Sequence, residues 1–131
     1  MSSDGSSVSR IEIQLVINDK HKISAEFKRH LSPLTIKKLL TKMPISGLIS
    51  KYDDNFVYVK TDLDVGIEKP VSIFKKGNIA FSPSGNFLSV FLKDTLTAQK
   101  YSLLGSITSD NLDLLLSLGA GDILTFKKLS L

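Results

Sequence analysis

The residue types that could perform chemistry are sparse in this sequence, beginning with the histidines. His21 stands at a predicted hairpin turn and His30 just before a predicted helix, and either side chain could serve as a base or a metal ligand. No third ligand stands at a suitable spacing, so we expect no metal site. The chain has no cysteine, which excludes disulfides, thiolate catalysis and zinc sites built on sulfur.

Carboxylates and serines give no better indication of an active site. Asp53 and Asp54 could act as a carboxylate pair, but they stand in a segment whose composition is typical of a turn. Asp62 and Asp64 could share one face of a strand, although a solvated loop explains them better. No serine of the central region shares a motif with a histidine, and there is no glycine-rich phosphate loop. We therefore predict no catalytic residue and no cofactor.

Aromatic residues are what remains, and they allow two interpretations. The first is that they fill the core of a barrel. The second is an apolar cleft beside the turn at residues 83–85, with tyrosine hydroxyls as its few polar groups, which is a usual form of ligand site. In this interpretation Phe81 and Phe87 form the wall of the cleft. The complete set of candidate cleft residues is Phe56, Tyr58, Phe81, Ser82, Pro83, Gly85, Phe87 and Tyr101.

Residues 76–92 predict the hairpin that must position these aromatic side chains. Ile79 and Phe81 alternate on its first strand, whereas residues 87–92 are almost continuously apolar, as in a strand that is covered on both faces. The connection Ser82-Pro83-Ser84-Gly85-Asn86 is typical of a turn, because proline presets one dihedral angle and glycine permits positive φ.

A hairpin and a helix are predicted before this central element. Residues 10–17 predict a strand that alternates apolar and polar side chains from Ile11 to Leu15. After a turn, residues 21–27 predict a second strand in which Ile23, Ala25 and Phe27 alternate with polar side chains. A helix should begin at Pro33, after Ser32 as its N-cap, because proline is favoured at the first helical position. Pro44 should end it.

The other elements are predicted from shorter patterns. Residues 45–49 are ambiguous and fit an extended link or a short turn, whereas residues 56–59 have the aromatic and β-branched composition of a strand. Residues 101–107 predict a further strand, with Gly105 at a bulge or a close approach. Residues 111–118 predict a second helix, and a last strand follows.

This order of elements predicts a mainly β fold. The strands are separated by turns and not by helices, which argues against a parallel sheet. We predict a small closed antiparallel β-barrel of about eight strands with two helices. Residues 1–9 are predicted to be a disordered polar leader and residues 10–131 a single domain, because a chain of 131 residues fits one domain.

Charge and composition narrow the classes of partner. The net charge is +4, but the lysines are dispersed, so we expect weak, salt-sensitive attraction to nucleic acid and no specific nucleic-acid partner. Neither an apolar run of spanning length nor a secretory signal is present, so we expect a cytoplasmic protein with no membrane partner. The excess of lysine over arginine and the scarcity of glutamine favour a thermophilic source.

Several local sequences, taken in order, resemble the cyclophilin fold and, more closely, the small prokaryotic cyclophilin-like family. Ser32-Pro33-Leu34-Thr35 is similar to the helix start of cyclophilins, and Met43-Pro44 to the helix end of the small family. Residues 77–85 resemble the central hairpin of that family. Leu104-Gly105-Ser106-Ile107 resembles the closing strand of cyclophilins. The resemblance covers the chain from Arg10 to Lys128 and implies a cyclophilin-like barrel.

The resemblance also implies an activity, peptidyl-prolyl cis-trans isomerisation, from which this sequence departs. Cyclophilins open their catalytic strand with phenylalanine, histidine and arginine, and the arginine holds the prolyl carbonyl. Here Phe56 is followed by Val57 and Tyr58, so the positive donor is missing, although Lys60 would share a strand face with Tyr58. We interpret the chain as a non-catalytic module that binds a peptide or a small apolar ligand. A weak or vestigial isomerase is the alternative.

Overall fold

The computed structural model describes residues 9–129, so the predicted leader, apart from Ser9, lies outside the described residues. The helical elements are α1 (Pro33–Lys42) and a 3-10 helix, Leu112–Leu115. Within residues 9–129, no helix has the length and apolar character needed to cross a membrane. The strands are β1 (Arg10–Ile17), β2 (His21–Lys28), β3 (Ile45–Leu48), β4 (Ser50–Tyr52), β5 (Phe56–Lys60), β6 (Pro70–Phe74), β7 (Asn78–Ser82), β8 (Phe87–Phe91), β9 (Thr95–Ile107) and β10 (Ile123–Lys128).

These strands form one antiparallel sheet of ten strands, in the order β3-β10-β1-β2-β9-β7-β8-β5-β4, with β6 paired to β9. The prediction of a mainly β, antiparallel fold is confirmed, but the prediction of a closed barrel of about eight strands is wrong, because the sheet has ten strands and is not closed. Only Ile49 separates the terminal strands β3 and β4. A hairpin loop needs about two residues, so these strands cannot pair with each other and close the sheet.

Both terminal strands fall where the sequence indicates a link or a turn. β3 pairs with β10, and β4 pairs with β5. Ser46, Gly47 and Ser50 carry little intrinsic strand preference, so long-range pairing decides their conformation. At Gly47 an added Cβ would lie 2.7 Å from a methyl group of Val59, so the glycine permits a close approach between β3 and β5.

The prediction of a second α-helix over residues 111–118 is wrong, because only Leu112–Leu115 is helical, as one 3-10 turn. The side-chain amide of Asn111 donates to the Lys22 carbonyl oxygen at 2.9 Å and does not hold the N–H groups of the turn. Leu112 and Leu115 are buried in the main core, so tertiary packing fixes this segment without a longer helix.

Helix α1 is confirmed, but its N-terminus is capped by a distant residue. The Ser32 hydroxyl donates to the Leu103 carbonyl oxygen at 2.8 Å and makes no cap hydrogen bond. Glu68 instead accepts from the N–H groups of Leu34 at 3.2 Å and Thr35 at 2.7 Å. A carboxylate at this position is favoured by the helix dipole, so the helix and the segment before β6 stabilise each other.

The sheet buries apolar side chains on both faces. Phe81 and Leu88 belong to the main core, whereas Phe87 and Phe91, from the same hairpin, pack on the opposite face. The expectation of a central strand covered on both faces is therefore confirmed. The opposite face carries a second, smaller core, whose aromatic members we call the aromatic cluster: Phe56, Tyr58, Phe74, Phe87, Phe91 and Tyr101.

Candidate functional site

A groove of about 570 Å³ opens beside the aromatic cluster, and we call it the aromatic groove. One side is the β4–β5 turn, with Tyr52, Asp53, Asn55 and Phe56, and the other is the first part of β9, residues 95–99 with Tyr101. Phe56 and Tyr101 join the groove to the aromatic cluster. The volume lies in the range usual for small-molecule sites.

Ring packing holds Tyr101 from several sides. Phe74 stacks on Phe91 with ring centroids 4.3 Å apart, and Phe91 lies 4.9 Å from Phe56. Tyr101 meets Phe87 and Phe56 edge to face, with centroid distances of 5.6 and 6.2 Å. Stacked and edge-to-face contacts are the favourable arrangements of aromatic pairs, so the position of Tyr101 is well determined.

The β4–β5 turn presents an exposed ring and a carboxylate to the groove. Tyr52 and Phe56 are cross-strand partners whose rings stack at 5.2 Å, and Tyr52 remains 57% exposed. The Asn55 N–H donates to the Tyr52 carbonyl oxygen at 3.0 Å, which closes the turn. Asp53 has a φ of 50°, a left-handed conformation that aspartate tolerates better than most residues.

The other side of the groove is shaped by a bulge in β9. In the pairing of β6 with β9, Val71 lies opposite Tyr101 and Ile73 lies opposite Leu96. One residue of β6 between these two pairs therefore faces four residues of β9, 97–100. Such an insertion bends a strand and re-aims its side chains. The bulge therefore turns the start of β9 over the face that carries the aromatic cluster.

The β7–β8 turn contacts the bulge from the far end of the site. The Ser82 hydroxyl accepts a hydrogen bond from the Gly85 N–H at 3.1 Å. The Ser82 carbonyl oxygen accepts one from the Asn86 N–H at 2.8 Å. The Ser84 hydroxyl donates to the Gln99 side-chain oxygen at 3.2 Å. This hydrogen bond links the predicted turn to a residue that lines the groove.

Three tyrosine hydroxyls are the notable polar groups of this region. Burial raises the pKa of Tyr101, and the neighbouring hydroxyls of Tyr52 and Tyr58 raise it further. Among residues 9–129, no protein group hydrogen-bonds to these three hydroxyls. They are therefore free to donate to or accept from a ligand.

The raised pKa of Tyr101 predicts a loss of stability in alkali. The folded state favours the neutral phenol. The stability that this provides is fully present below the pKa of tyrosine in the unfolded chain, about 10. It is lost as the pH rises through the higher pKa of the folded state. We expect the free energy of unfolding, measured with urea, to fall between pH 9 and pH 11. This fall should be smaller for Tyr101→Phe than for the native chain. Equal decreases would contradict the burial of this hydroxyl.

The structure brings part of the predicted cleft together. Phe56, Tyr58, Phe87 and Tyr101 all lie in the aromatic cluster, and Phe56 and Tyr101 also line the groove. The groove opens at the Phe56 end of β5, whereas the cleft was expected near the turn that contains Ser82, Pro83 and Gly85. That turn lies at the opposite end of β5 because Lys60 is paired with Phe87.

Phe81 is separated from the other candidate residues. It is fully buried in the main core, on the face of the sheet opposite to Phe87. Successive side chains of a strand point to opposite faces, and the β7–β8 register pairs Phe81 with Leu88, which also belongs to the main core. Phe81 and Phe87 therefore cannot form one wall of a cleft, and this part of the prediction is corrected.

Sequence reasoning missed Tyr52, Asn55 and the strand residues 95–99 as lining residues of a groove, and it weighed Asp53 only as half of a carboxylate pair within a turn. One signal was present: Thr95-Leu96-Thr97 alternates as a strand does. The meeting of two segments far apart in the sequence depends on the β9 bulge, which no local pattern predicts.

The histidines and the pair Asp62 and Asp64 do not assemble into a site. His21 begins β2 and His30 lies two residues beyond its end, and both side chains are exposed. Asp62 and Asp64 are exposed in an irregular segment, as expected for a solvated loop. In the part of the chain that the structure describes, no group of three or more histidine, cysteine, aspartate or glutamate side chains could hold a metal ion.

Comparisons with known proteins give a family match and several matches to solved structures, two of which follow. A family model described as cyclophilin-like matches residues 10–127, whereas no curated protein matches the chain. The solution structure of the hypothetical protein AF2241 from Archaeoglobus fulgidus is similar with a TM-score of 0.74 at 15% identity, over 92% of this chain and 95% of that protein. McbB in complex with tryptophan is similar with a TM-score of 0.74 at 11% identity, over 91% of this chain and 45% of the McbB chain. At these identities, the likeness shows the fold alone.

Proposed function

Because this chain belongs to the cyclophilin-like family, we propose that it is a non-catalytic binding module whose aromatic groove holds a peptide or a small ligand. One observation carries the proposal. The chain has three tyrosines, and all of them lie in the open groove or in the aromatic cluster beside it. Their rings offer apolar area and their hydroxyls offer a few polar contacts, which is the usual composition of a ligand site.

The exposed ring of Tyr52 is the part of the groove most available to a ligand. It already stacks on Phe56 with one face, so a planar ligand group on its free face would extend an existing stack. Aromatic pairs of this kind contribute about 0.5–1.5 kcal/mol beyond the burial of area. Asn55, Thr97 and Gln99 supply amide and hydroxyl groups that could orient such a ligand.

An aromatic amino-acid derivative is the appropriate first probe. The structure of McbB, part of which has a similar fold, is of a complex with tryptophan. We expect N-acetyl-tryptophanamide to bind in the aromatic groove, because its indole ring can stack on Tyr52 and its amides can pair with the polar groups there. A neutral derivative is chosen so that binding does not depend on terminal charges.

Calorimetric titration of this probe tests the proposal. Tyr52→Ala should weaken binding about tenfold, since truncating an aromatic contact at the centre of a site costs about 1–2 kcal/mol. Leu34→Ala is the matched control, because Leu34 is 65% exposed on helix α1 and does not line the groove. Absence of binding, or an equal loss in both variants, would reject the aromatic groove as the site.

A protease-coupled proline isomerisation assay on the same protein tests the alternative. Catalysis needs a placed donor at the twisting amide, and Tyr58 could offer only a neutral hydroxyl. Lys60 is exposed on the same strand face and is the nearest substitute for the missing arginine. We expect no rate above background. A rate near that of ordinary cyclophilins that is lost in Tyr58→Phe or Lys60→Ala would favour the enzyme.

A further inference from the structure

The charge of the aromatic groove is opposite to that of the whole chain. The chain has a net charge of +4, yet Asp53 is the charged residue among those that line the groove, and no lysine, arginine or histidine lines it. The remaining polar lining groups are amides and hydroxyls, several of which present acceptor oxygens. The groove is therefore complementary to a cationic group.

Asp53 is available for such a group. Its carboxylate is exposed and makes no ion pair or hydrogen bond with any residue in the described range 9–129. It stands directly after Tyr52, and the turn that Asn55 closes holds the two residues together. A free carboxylate beside an exposed ring face offers a cation both an ion pair and a cation–π contact.

We infer that the aromatic groove recognises an arginine side chain of a peptide, with the guanidinium group against the Tyr52 ring and paired with the Asp53 carboxylate. Arginine fits better than lysine because its planar group stacks on aromatic faces, and its five N–H donors suit a carboxylate together with the oxygens of Asn55 and Gln99. This inference rests on the proposed function of the groove as a binding site, and it adds the class of ligand.

Intrinsic tyrosine fluorescence gives a direct measurement. The chain has no tryptophan and its three tyrosines lie at the site, so the emission reports on this region. The probe is the peptide acetyl-Gly-Arg-Gly-amide. Its controls are the same peptide with citrulline, which keeps the shape but has no charge, and the same peptide with lysine or glutamate. We expect the arginine peptide to bind about fivefold or more tightly than the citrulline peptide, an advantage that salt should reduce.

Two variants test whether the preference for arginine comes from the Asp53 carboxylate. Asp53→Asn should lower the affinity for the arginine peptide to that for the citrulline peptide. Asp54→Asn is the matched control, because the neighbouring carboxylate is exposed but does not line the groove. The inference is overturned if citrulline, lysine or glutamate peptides bind as tightly as the arginine peptide, or if Asp53→Asn has no effect. If the arginine inference fails but N-acetyl-tryptophanamide still binds in a Tyr52-dependent way, the proposed binding function stands. If neither N-acetyl-tryptophanamide nor the arginine peptide binds, the proposed function and the arginine inference both fail.

Discussion

Replacing Gly105 with alanine is expected to lower the free energy of unfolding by about 3 kcal/mol or more. Gly105 lies in β9 between β2 and β7, where it is paired with Phe27 on one side and Ile79 on the other. An added Cβ would lie 1.9 Å from the Glu26 carbonyl oxygen and 2.8 Å from the Phe27 Cα. These are backbone atoms of a central strand, so they cannot move aside without breaking the pairing of β2 with β9.

Gly66→Ala is the matched control for this substitution. A Cβ at Gly66 would meet no atom within 4 Å, and its φ lies outside the left-handed region. Alanine there should leave stability unchanged or raise it by up to about 1 kcal/mol, because it restricts the unfolded chain. Urea unfolding followed by far-ultraviolet circular dichroism gives both values. A Gly105→Ala variant as stable as Gly66→Ala would contradict the close approach of β2 and β9.

Replacing Phe81 with alanine is expected to cost about 3–5 kcal/mol, because the ring is fully buried in the main core and leaves a cavity there. Phe87→Ala should cost roughly half as much, since its ring is only partly buried at the edge of the second core. For ligand binding we expect the opposite order, in which Phe87→Ala weakens binding more than Phe81→Ala does. Phe87 contacts Tyr101 at 5.6 Å, so its loss should loosen the groove, whereas Phe81 lies on the other face of the sheet.

The milder Phe81→Leu variant keeps this second prediction testable when the alanine variant fails to fold. It retains most of the apolar volume and should bind N-acetyl-tryptophanamide as tightly as the native chain, despite a lower midpoint of urea unfolding. Weaker binding by Phe81→Leu than by Phe87→Leu would return Phe81 to the wall of the site, which the register of β7 with β8 opposes.

The sequence predicts best those features that depend on local periodicity. The alternation along residues 78–91 predicts a hairpin covered on both faces, and the interpretation of Gly105 as a close approach follows from a lone glycine in a strand pattern. Helix α1 follows from Pro33, at which it begins, and from Pro44, which stands just beyond its end. In each case the residues that carry the signal also form the element.

Features that depend on distant partners could not be predicted in this way. Helix α1 is capped by Glu68, which stands well outside the helix and its flanking residues. The pairing of β3 with β10 turns a segment with weak strand preference into an edge strand. The groove itself needs the bulge of residues 97–100, which carries Gln99 to Ser84 and sets the start of β9 against Tyr52.

The binding site is proposed to lie on the face of the sheet opposite to the main core. Backbone amide NMR during titration with N-acetyl-tryptophanamide shows which residues the ligand contacts. We predict the largest changes in amide chemical shift at residues 52–56 and 95–101. The amide shifts of residues 12–13 and 24–26, which lie beside a smaller cavity of about 230 Å³, should stay unchanged. Changes confined to the residues of that smaller cavity, or no change at millimolar N-acetyl-tryptophanamide, would rule out a binding site in the aromatic groove.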